Sequence, residues 1–386
     1  MSNIANVTPE VLKWARTTAH ISLEIAASKL SIDVNKLISW ESGTSKPTIN
    51  QAKKLSQIYK RPFAMLFLRE IPLDFQPLQD FRKKGSKVLS TASVFIIREI
   101  QQKQAWVSEL NQEDISQKRN FVGRFTLKDN PKDIANDILN ELHIDPLNYK
   151  EDNPLLEWIK SAEKKGIFIA RSSFLHTKMK FDPAEFQGFS IADPFAPFIF
   201  INSNDWKSSQ LFTLVHELAH LWLSLSGISN LSEKDYNFSS FPTIELFCNE
   251  VAANVLMPES SFKQIFDINN IPSVSNFFNV SSYAVIVRAF KLNLITSLQY
   301  KKIKNKLNKE YSEFLKIEAA KKELQKKEGN IGGPNPFLLQ INKNSRLFTH
   351  VVLDAYNGGI IEPTIASSLL NVRVNKFASL EKFLYK

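Results

Sequence analysis

A five-residue stretch inside an apolar run constrains this chain more than any other feature. His216, Glu217 and His220 form the pattern H-E-x-x-H, and apolar residues flank it on both sides. Residues four positions apart on a helix lie one above the other on the same face, so both imidazoles can reach one ion. Glu217 is then placed to reach a water molecule at that ion, which is the arrangement that zinc-dependent hydrolysis needs. The stretch predicts a buried helix that binds a metal.

The alternative is that the two histidines are ordinary core residues whose ring nitrogens are hydrogen-bonded. The chain has only 6 His, so the pattern arises by chance on the order of once in a hundred such chains. A glutamate buried between two histidines also costs free energy unless a partner offsets its desolvation. Both arguments favour a metal site.

The chain length and the cysteine count limit the class of protein. A chain of 386 residues is long enough for two or three domains. It has no apolar run of the length of a membrane span, and its N-terminus has neither the basic nor the apolar segment of an export signal. Cys248 is its only cysteine, which excludes an intrachain disulfide and a cysteine-based zinc site. We therefore expect a cytoplasmic protein without a membrane partner.

The formal net charge of +10 permits binding to nucleic acid but does not establish it. The positive charge concentrates in residues 1–70 and in residues 301–327. In the second segment, glutamates alternate with the lysines at near-helical spacing, which favours a solvated helix face.

Residues 8–62 have the periodicity of several short helices and no strand pattern. Ser22 and Asp33 are predicted to cap two successive helices, and a third helix is predicted to begin after Thr48. Two short helices joined by a tight turn are typical of a helix-turn-helix module.

This stretch resembles the Xre-type helix-turn-helix family. The similarity is carried by residues 26–30, 37–43 and 46–48. In that family, the exposed early residues of the recognition helix contact DNA bases. The resemblance therefore implies base contacts from Asn35, Lys36 and Ser39.

The charge of the module departs from what DNA binding favours. Asp33 stands at the start of the recognition helix, and Lys36 is the only basic residue within it. Attraction to DNA phosphates then depends on flanking lysines such as Lys46. We expect operator DNA as a partner, with Asn35, Lys36, Ser39 and Lys46 as the contacting residues. The competing interpretation is a small helical module that docks a protein.

The segment before the metal-binding helix changes from helical to strand periodicity. Three helices are predicted near residues 91–117, 133–142 and 155–164. Three short strands follow, at residues 166–170, 186–191 and 197–201. A strand at a sheet edge beside the metal-binding helix can hold an extended peptide by strand addition. The strands can equally serve only to cover that helix, and the sequence leaves both interpretations open.

A catalytic zinc ion commonly has three protein ligands, so a third ligand is needed. Residues 244–257 have the periodicity of a helix that ends before Pro258. Glu245 and Glu250 project about 140° apart around its axis and cannot both face one ion. Glu245 lies on the packed side, where a carboxylate needs a cation or a buried lysine or arginine, and is the predicted ligand. Asn249, one turn on, is predicted to accept a hydrogen bond from a ligand histidine.

Two segments taken together look like the ImmA/IrrE metallopeptidases. They are residues 212–220 and 245–258, with further similarity at residues 188–190 and 200–202. The resemblance implies a gluzincin-like zinc peptidase in which His216, His220 and Glu245 bind Zn²⁺. Glu217 would be its general base. The resemblance also implies cleavage of a partner repressor or antitoxin, often encoded nearby.

We expect a predominantly helical α+β fold with four regions. These are a helix-turn-helix bundle at residues 1–70, a helical connector at 71–150, a zinc peptidase domain with a small sheet at 151–295 and a helical region at 296–386. A glycine-rich break is expected at residues 332–336 within the last region.

Three functions compete at this point. The leading one is a zinc endopeptidase that regulates transcription, a stress response or a toxin–antitoxin or defence system by proteolysis. The others are a non-catalytic DNA-binding repressor or antitoxin with a structural metal site, and a protein-docking scaffold. Glu217 favours the enzyme, because a structural site does not need a general base. Tyr236, Tyr283 and His350 are candidates for stabilising the oxyanion, and the sequence does not select one.

Overall fold

The computed structural model describes residues 3–72, 78–82, 87–176, 179–229, 243–327 and 335–385. The packing of Cα atoms separates two compact units. Unit 1 comprises Met1–Pro77, Lys87–Gln102 and Phe174–Phe181, and unit 2 comprises Leu78–Ser86, Lys103–Ser173 and Asp182–Lys386. The four-region division expected from the sequence remains a prediction.

Four short helices form most of unit 1. They are α1 (Pro9–Thr18), α2 (Leu23–Leu30), α3 (Val34–Glu41) and α4 (Ile49–Tyr59). Ser22 accepts a hydrogen bond from a backbone N–H of α2, and Asp33 accepts one from α3, so both predicted caps are confirmed. Apolar side chains from all four helices, Trp40 and Leu55 among them, close a common core.

A small mixed sheet lies in unit 2. Its strands are β1 (Gln79–Asp80), β2 (Phe168–Ser172), β5 (Gly188–Ile191), β6 (Phe198–Asn202) and β7 (Gly227–Ser229), and β3 (Phe174–His176) with β4 (Met179–Lys180) forms a separate hairpin in unit 1. The strand order is β1-β7-β5-β6-β2. β5 is antiparallel to both of its neighbours, whereas β1 and β2 run parallel to theirs. The edges of this sheet are therefore β1 and β2.

The three predicted strands correspond to β2, β5 and β6, with small shifts. β2 begins at Phe168 rather than at residue 166, because Gly166 has a φ of +82° and completes the turn after the preceding helix. β1 and β7 were not predicted. Each has at most three residues, which is too short to show an alternating pattern.

Helices make up the rest of the described chain. They are α5 (Thr91–Gln112), α6 (Pro131–Leu142), α7 (Pro154–Lys164), α8 (Lys207–Trp222), α9 (Thr243–Leu256), α10 (Glu259–Ile265), α11 (Ile271–Phe278), α12 (Ser282–Lys291), α13 (Ser297–Lys327), α14 (Pro336–Asn344), α15 (Arg346–Asn357), α16 (Pro363–Leu370) and α17 (Phe377–Leu384). The expected predominantly helical α+β class is confirmed at this level. Residues 328–334, which include most of the expected break, lie outside the described residues.

α8 is the central helix of unit 2. Every residue from Ser209 to Trp222 is buried, since β5 and β6 pack on one side of the helix and α6, α7 and α9 pack on the others. A helix that is apolar nearly all round needs such an environment. None of the helices in the described ranges is both long and apolar enough to cross a lipid bilayer.

Candidate metal centre

The two histidines of the H-E-x-x-H pattern lie one turn apart on α8, as their spacing requires. Their ring centroids are 4.8 Å apart. Glu245 lies in the first turn of α9, the neighbouring helix, and its carboxylate points between the two rings. His216, His220 and Glu245 are the one group of three potential metal ligands found among the described residues.

The donor groups of these three side chains converge, with one Glu245 oxygen near each imidazole, and we term this cluster the triangle. The Nε2 atoms of His216 and His220 are 3.0 Å apart. The carboxylate oxygens of Glu245 lie 3.1 Å from the Nε2 atom of His220 and 3.3 Å from that of His216. Tetrahedral coordination with metal–ligand bonds of about 2.0–2.1 Å places ligand atoms roughly 3.3 Å apart. The 3.0 Å between the two imidazole nitrogens is close to this spacing, and a carboxylate oxygen lies within 3.3 Å of each of them.

The electrostatics of the triangle also fit a cation. All three side chains are fully buried. Burial alone would raise the pKa of Glu245, but His216 and His220 outweigh it and lower the pKa to about 2. Within the described part of the chain, no lysine or arginine forms an ion pair with this carboxylate, so the alternative of a structural pair finds no support there. An ionised carboxylate beside two imidazoles is a donor set that suits a divalent ion such as Zn²⁺.

Glu217 is buried next to the triangle but is not part of it. Burial raises the pKa of its carboxyl to about 7, with His220 opposing this effect and Glu245 adding to it. Neither oxygen of Glu217 has a hydrogen-bond partner among the described residues. Its position beside the triangle places this carboxyl where it could accept a proton from a water molecule there, as a general base must.

Gly188 allows strand β5 to lie directly against Glu217. A Cβ atom at this position would stand 3.1 Å from Oε1 of Glu217 and 2.7 Å from Cγ2 of Thr213. Any larger residue would push the strand away from α8. Gly188 belongs to the segment that resembles the ImmA/IrrE proteins. The sequence pattern alone did not explain why a glycine is needed at this position.

Two further residues contact the site that the sequence did not mark as functional. The Ser229 hydroxyl, at the end of β7, is 3.5 Å from Nε2 of His220 and from Oε1 of Glu245. The Phe81 ring stacks on the His220 ring, with centroids 5.2 Å apart and an interplanar angle of 10°. Phe81 belongs to none of the sequence patterns described above.

The other predicted residues of α9 differ in their surroundings. The Oδ1 atom of Asn249 is buried and has no hydrogen-bond partner in the described ranges, so its predicted contact with a ligand histidine remains a prediction. Glu250 is exposed, as its position on the polar face requires. Burial, Glu245 and Glu217 raise the pKa of the Cys248 thiol well above its ordinary value, so this cysteine stays protonated.

The two described candidates for stabilising an oxyanion, Tyr283 and His350, lie on different helices. The Tyr283 hydroxyl, on α12, donates a hydrogen bond to Asn308. The His350 ring, on α15, packs against Tyr385. Tyr236 lies outside the described residues. The choice among them stays open.

The predicted DNA-contacting residues lie on or just after α3. Asn35, Lys36 and Lys46 are exposed, and Ser39 is half-buried. The Ser39 hydroxyl donates to the Lys36 carbonyl at 2.7 Å, and Lys46 Nζ donates to Asn6 Oδ1 at 2.9 Å. Their role in DNA binding remains a prediction.

A comparison with known protein families covers the metal centre. Residues 162–290 match the family model of the IrrE N-terminal-like domain, a peptidase family. The match runs from α7 to α12 and includes the whole metal centre. It supports the ImmA/IrrE resemblance and a metallopeptidase activity for this part of the chain, and it does not extend to the helices of unit 1. No curated protein matches the chain.

Proposed function

We propose that this protein is a cytoplasmic zinc-dependent endopeptidase that cleaves a partner repressor or antitoxin, joined to an N-terminal module that binds operator DNA. The observation that carries the proposal is the triangle of buried donor atoms with a second buried carboxylate, Glu217, beside it. A purely structural ion would not require a second carboxylate at this position.

In this mechanism, His216, His220 and Glu245 hold the ion. Zn²⁺ bound there supplies Lewis-acid polarisation of a water molecule and of the peptide carbonyl. Glu217 accepts a proton from the attacking water as the water oxygen bonds to the carbonyl carbon. When the carbon–nitrogen bond breaks, Glu217 returns that proton to the leaving amine. The apolar surroundings of α8 keep bulk water away from Glu217 and so maintain its raised pKa.

The N-terminal module supports a regulatory role. Its exposed side chains on α3, together with Lys46, stand where the Xre-like resemblance places contacts to DNA. A peptidase that acts on a repressor, joined to a module that binds the operator, would act where its substrate is bound. We further infer that the substrate is encoded near this protein.

The alternative function is a non-catalytic DNA-binding repressor or antitoxin with a structural metal site. It is favoured by one observation, which is that all four side chains of the site are fully buried and none reaches solvent. In that case, replacing Glu217 would leave gene regulation unchanged. If the protein is a peptidase, the same replacement should abolish regulation that depends on cleavage.

A direct test is to incubate the purified, zinc-loaded protein with each protein encoded next to it. We expect one of them to be cut into two fragments that mass spectrometry can define, and a chelator to prevent the cut. A zinc-loaded protein that cuts none of these neighbours and no unfolded model protein contradicts the proposal. A mobility-shift titration across salt concentrations tests the DNA-binding module separately, with Lys36→Ala and Lys46→Ala expected to weaken binding and reduce its salt dependence.

A further inference from the structure

Strand β7 lies next to the metal centre, and a short segment of this chain pairs with the side of β7 that faces away from β5. Residues 78–82, which we term the strap, include β1. Gln79 pairs with Gly227 and Asp80 with Ile228 of β7. The Phe81 backbone N–H donates to the Ile228 carbonyl at 3.1 Å. Because β5 takes the other side of β7, the strap occupies the edge at which an extended peptide could pair with this strand.

The side chain of Phe81 fills a slot at the metal centre. It is 2% exposed, and its ring lies nearly parallel to that of His220. On its other side is Gly227, where a Cβ atom would stand only 2.1 Å from Cε2 of Phe81. The glycine therefore makes room for a flat ring beside a predicted metal ligand. The slot fits an aromatic or large apolar side chain.

The contacts that hold the strap involve its two strand residues, Phe81 and Arg82. β1 has only two residues, and both are exposed. Arg82 forms an ion pair with Asp80 at 2.6 Å and donates from Nη1 to the Glu185 carbonyl at 2.9 Å. The Arg82 side chain is buried and only Asp80 is half-exposed, so this pair contributes to holding the strap together with Phe81. The two-residue strand itself contributes little stability. Because β1 is the last strand at this end of the sheet, its departure would break no pairing between the other strands.

We propose that the strap is a tethered competitor of the substrate. The substrate is an extended peptide that pairs with the edge of β7 and places an aromatic or large apolar side chain in the Phe81 slot. It binds when the strap leaves. This inference rests on the proposed peptidase function and explains how a site whose four side chains are fully buried can still admit a peptide.

The position of the strap in the chain links it to unit 1. The residues that precede it, Met1–Pro77, and those that follow Ser86, Lys87–Gln102, both belong to unit 1, whereas Leu78–Ser86 belong to unit 2. The strap therefore belongs to a different unit from the chain segments on both sides of it.

The first experiment measures access to the site without relying on hydrolysis. In zinc-loaded protein that carries Glu217→Gln, the additional change Phe81→Ala should let a chelator remove the metal about tenfold faster or more, because local opening then costs less free energy. Phe262→Ala is the matched control, because Phe262 is as fully buried in unit 2 but packs against Phe266 and Phe278. Equal rates for the two variants would overturn the proposal. Should Phe81→Ala fail to fold, Arg82→Ala serves in its place, with a smaller increase expected.

The second experiment tests whether the slot accepts a peptide. A labelled synthetic peptide of residues 76–84 should bind the Phe81→Ala, Glu217→Gln protein about tenfold more tightly or better than it binds the Glu217→Gln protein, because the tethered strap no longer competes. The same peptide with alanine in place of Phe81 should not bind. Equal binding of the two peptides would overturn the proposal. If both experiments give the expected results but the protein cleaves no substrate, the proposed peptidase function is wrong and the peptide-binding site is still supported.

Discussion

The two units each bury a carboxylate against nitrogen-containing side chains, but only one of the two arrangements is complete by itself. In unit 1, Glu41 accepts two hydrogen bonds from Arg16, at 2.7 and 2.8 Å, and Arg16 also donates to the Ile21 carbonyl. In unit 2, Glu245 faces two imidazoles and no guanidinium or ammonium group among the described residues. The first arrangement has its cation built in, whereas the second has the dimensions to bind one from solution. A buried carboxylate therefore indicates a metal site only when no lysine or arginine side chain already neutralises its charge.

The largest expected effect concerns Glu217, the carboxylate whose two oxygens lack partners in the described ranges. Glu217→Gln should lower the rate of substrate cleavage by about 10²–10⁴-fold, because an amide cannot accept the proton from water. The metal content should stay the same, since Glu217 is not part of the triangle. Cleavage assays and elemental analysis of the same preparation check this. Cleavage within a few-fold of the unmodified rate would leave the alternative, a structural metal site, as the better account.

The second effect tests which glutamate of α9 completes the triangle. Glu245→Ala should weaken zinc binding by more than about 100-fold, because it removes one of three ligands, whereas even outer-shell changes cost 10–100-fold. Glu250→Ala on the exposed face of the same helix is the control and should have little effect. Competition with a fluorescent zinc chelator gives both affinities. The opposite ranking would exclude Glu245 as the ligand.

The third effect tests how much the buried ion pair between Arg16 and Glu41 contributes to the stability of unit 1. Glu41→Ala leaves the Arg16 guanidinium buried without its partner and should destabilise unit 1 by about 3 kcal/mol. Replacing both residues with apolar ones should cost less, because no charge is left unpaired. Neither change should alter zinc content. Hydrogen exchange of the α1–α4 amides in increasing urea measures the loss, and a loss below about 1 kcal/mol would show that this pair contributes no more than an exposed one.

The residues of the metal triangle could be selected from the sequence because each choice depends on local helical geometry. The spacing of His216 and His220 fixes their common face, and the apolar stripe of α9 separates Glu245 from Glu250. These relations hold within a few residues of chain. The caps of α2 and α3 follow for the same reason, since Ser22 and Asp33 bond to backbone groups within three positions.

The strap and its slot could not be found in this way. Phe81 and His220 are far apart in the sequence, and only the pairing of β1 with β7 brings them together. Both strands are too short to show a period. The sequence also suggested an edge strand beside the metal-binding helix, whereas β5, which packs on α8, lies between two other strands. Long-range strand order is set by tertiary packing, which local patterns do not encode.

The smallest expected effect concerns Glu163, a buried carboxylate whose partners are mainly neutral. Burial raises the pKa of Glu163, although the Ser345 hydroxyl and the Leu347 backbone N–H donate hydrogen bonds to it. The folded state therefore favours the protonated form. Its contribution to stability is present below the unfolded pKa of about 4.5 and is lost as the pH rises through the folded pKa.

Glu163→Gln removes this dependence but keeps an oxygen that can accept both hydrogen bonds. Relative to the unmodified protein, the variant should gain stability as the pH rises above about 4.5. Glu259 supplies a control of opposite sign, because Lys132 and Lys263 lower its pKa to about 2. Its contribution is present above the unfolded pKa and is lost on acidification, so Glu259→Gln should lose stability relative to the unmodified protein as the pH rises from about 2 to 4.5. Urea unfolding across pH measures both slopes, and equal signs would show that burial does not govern the titration of Glu163.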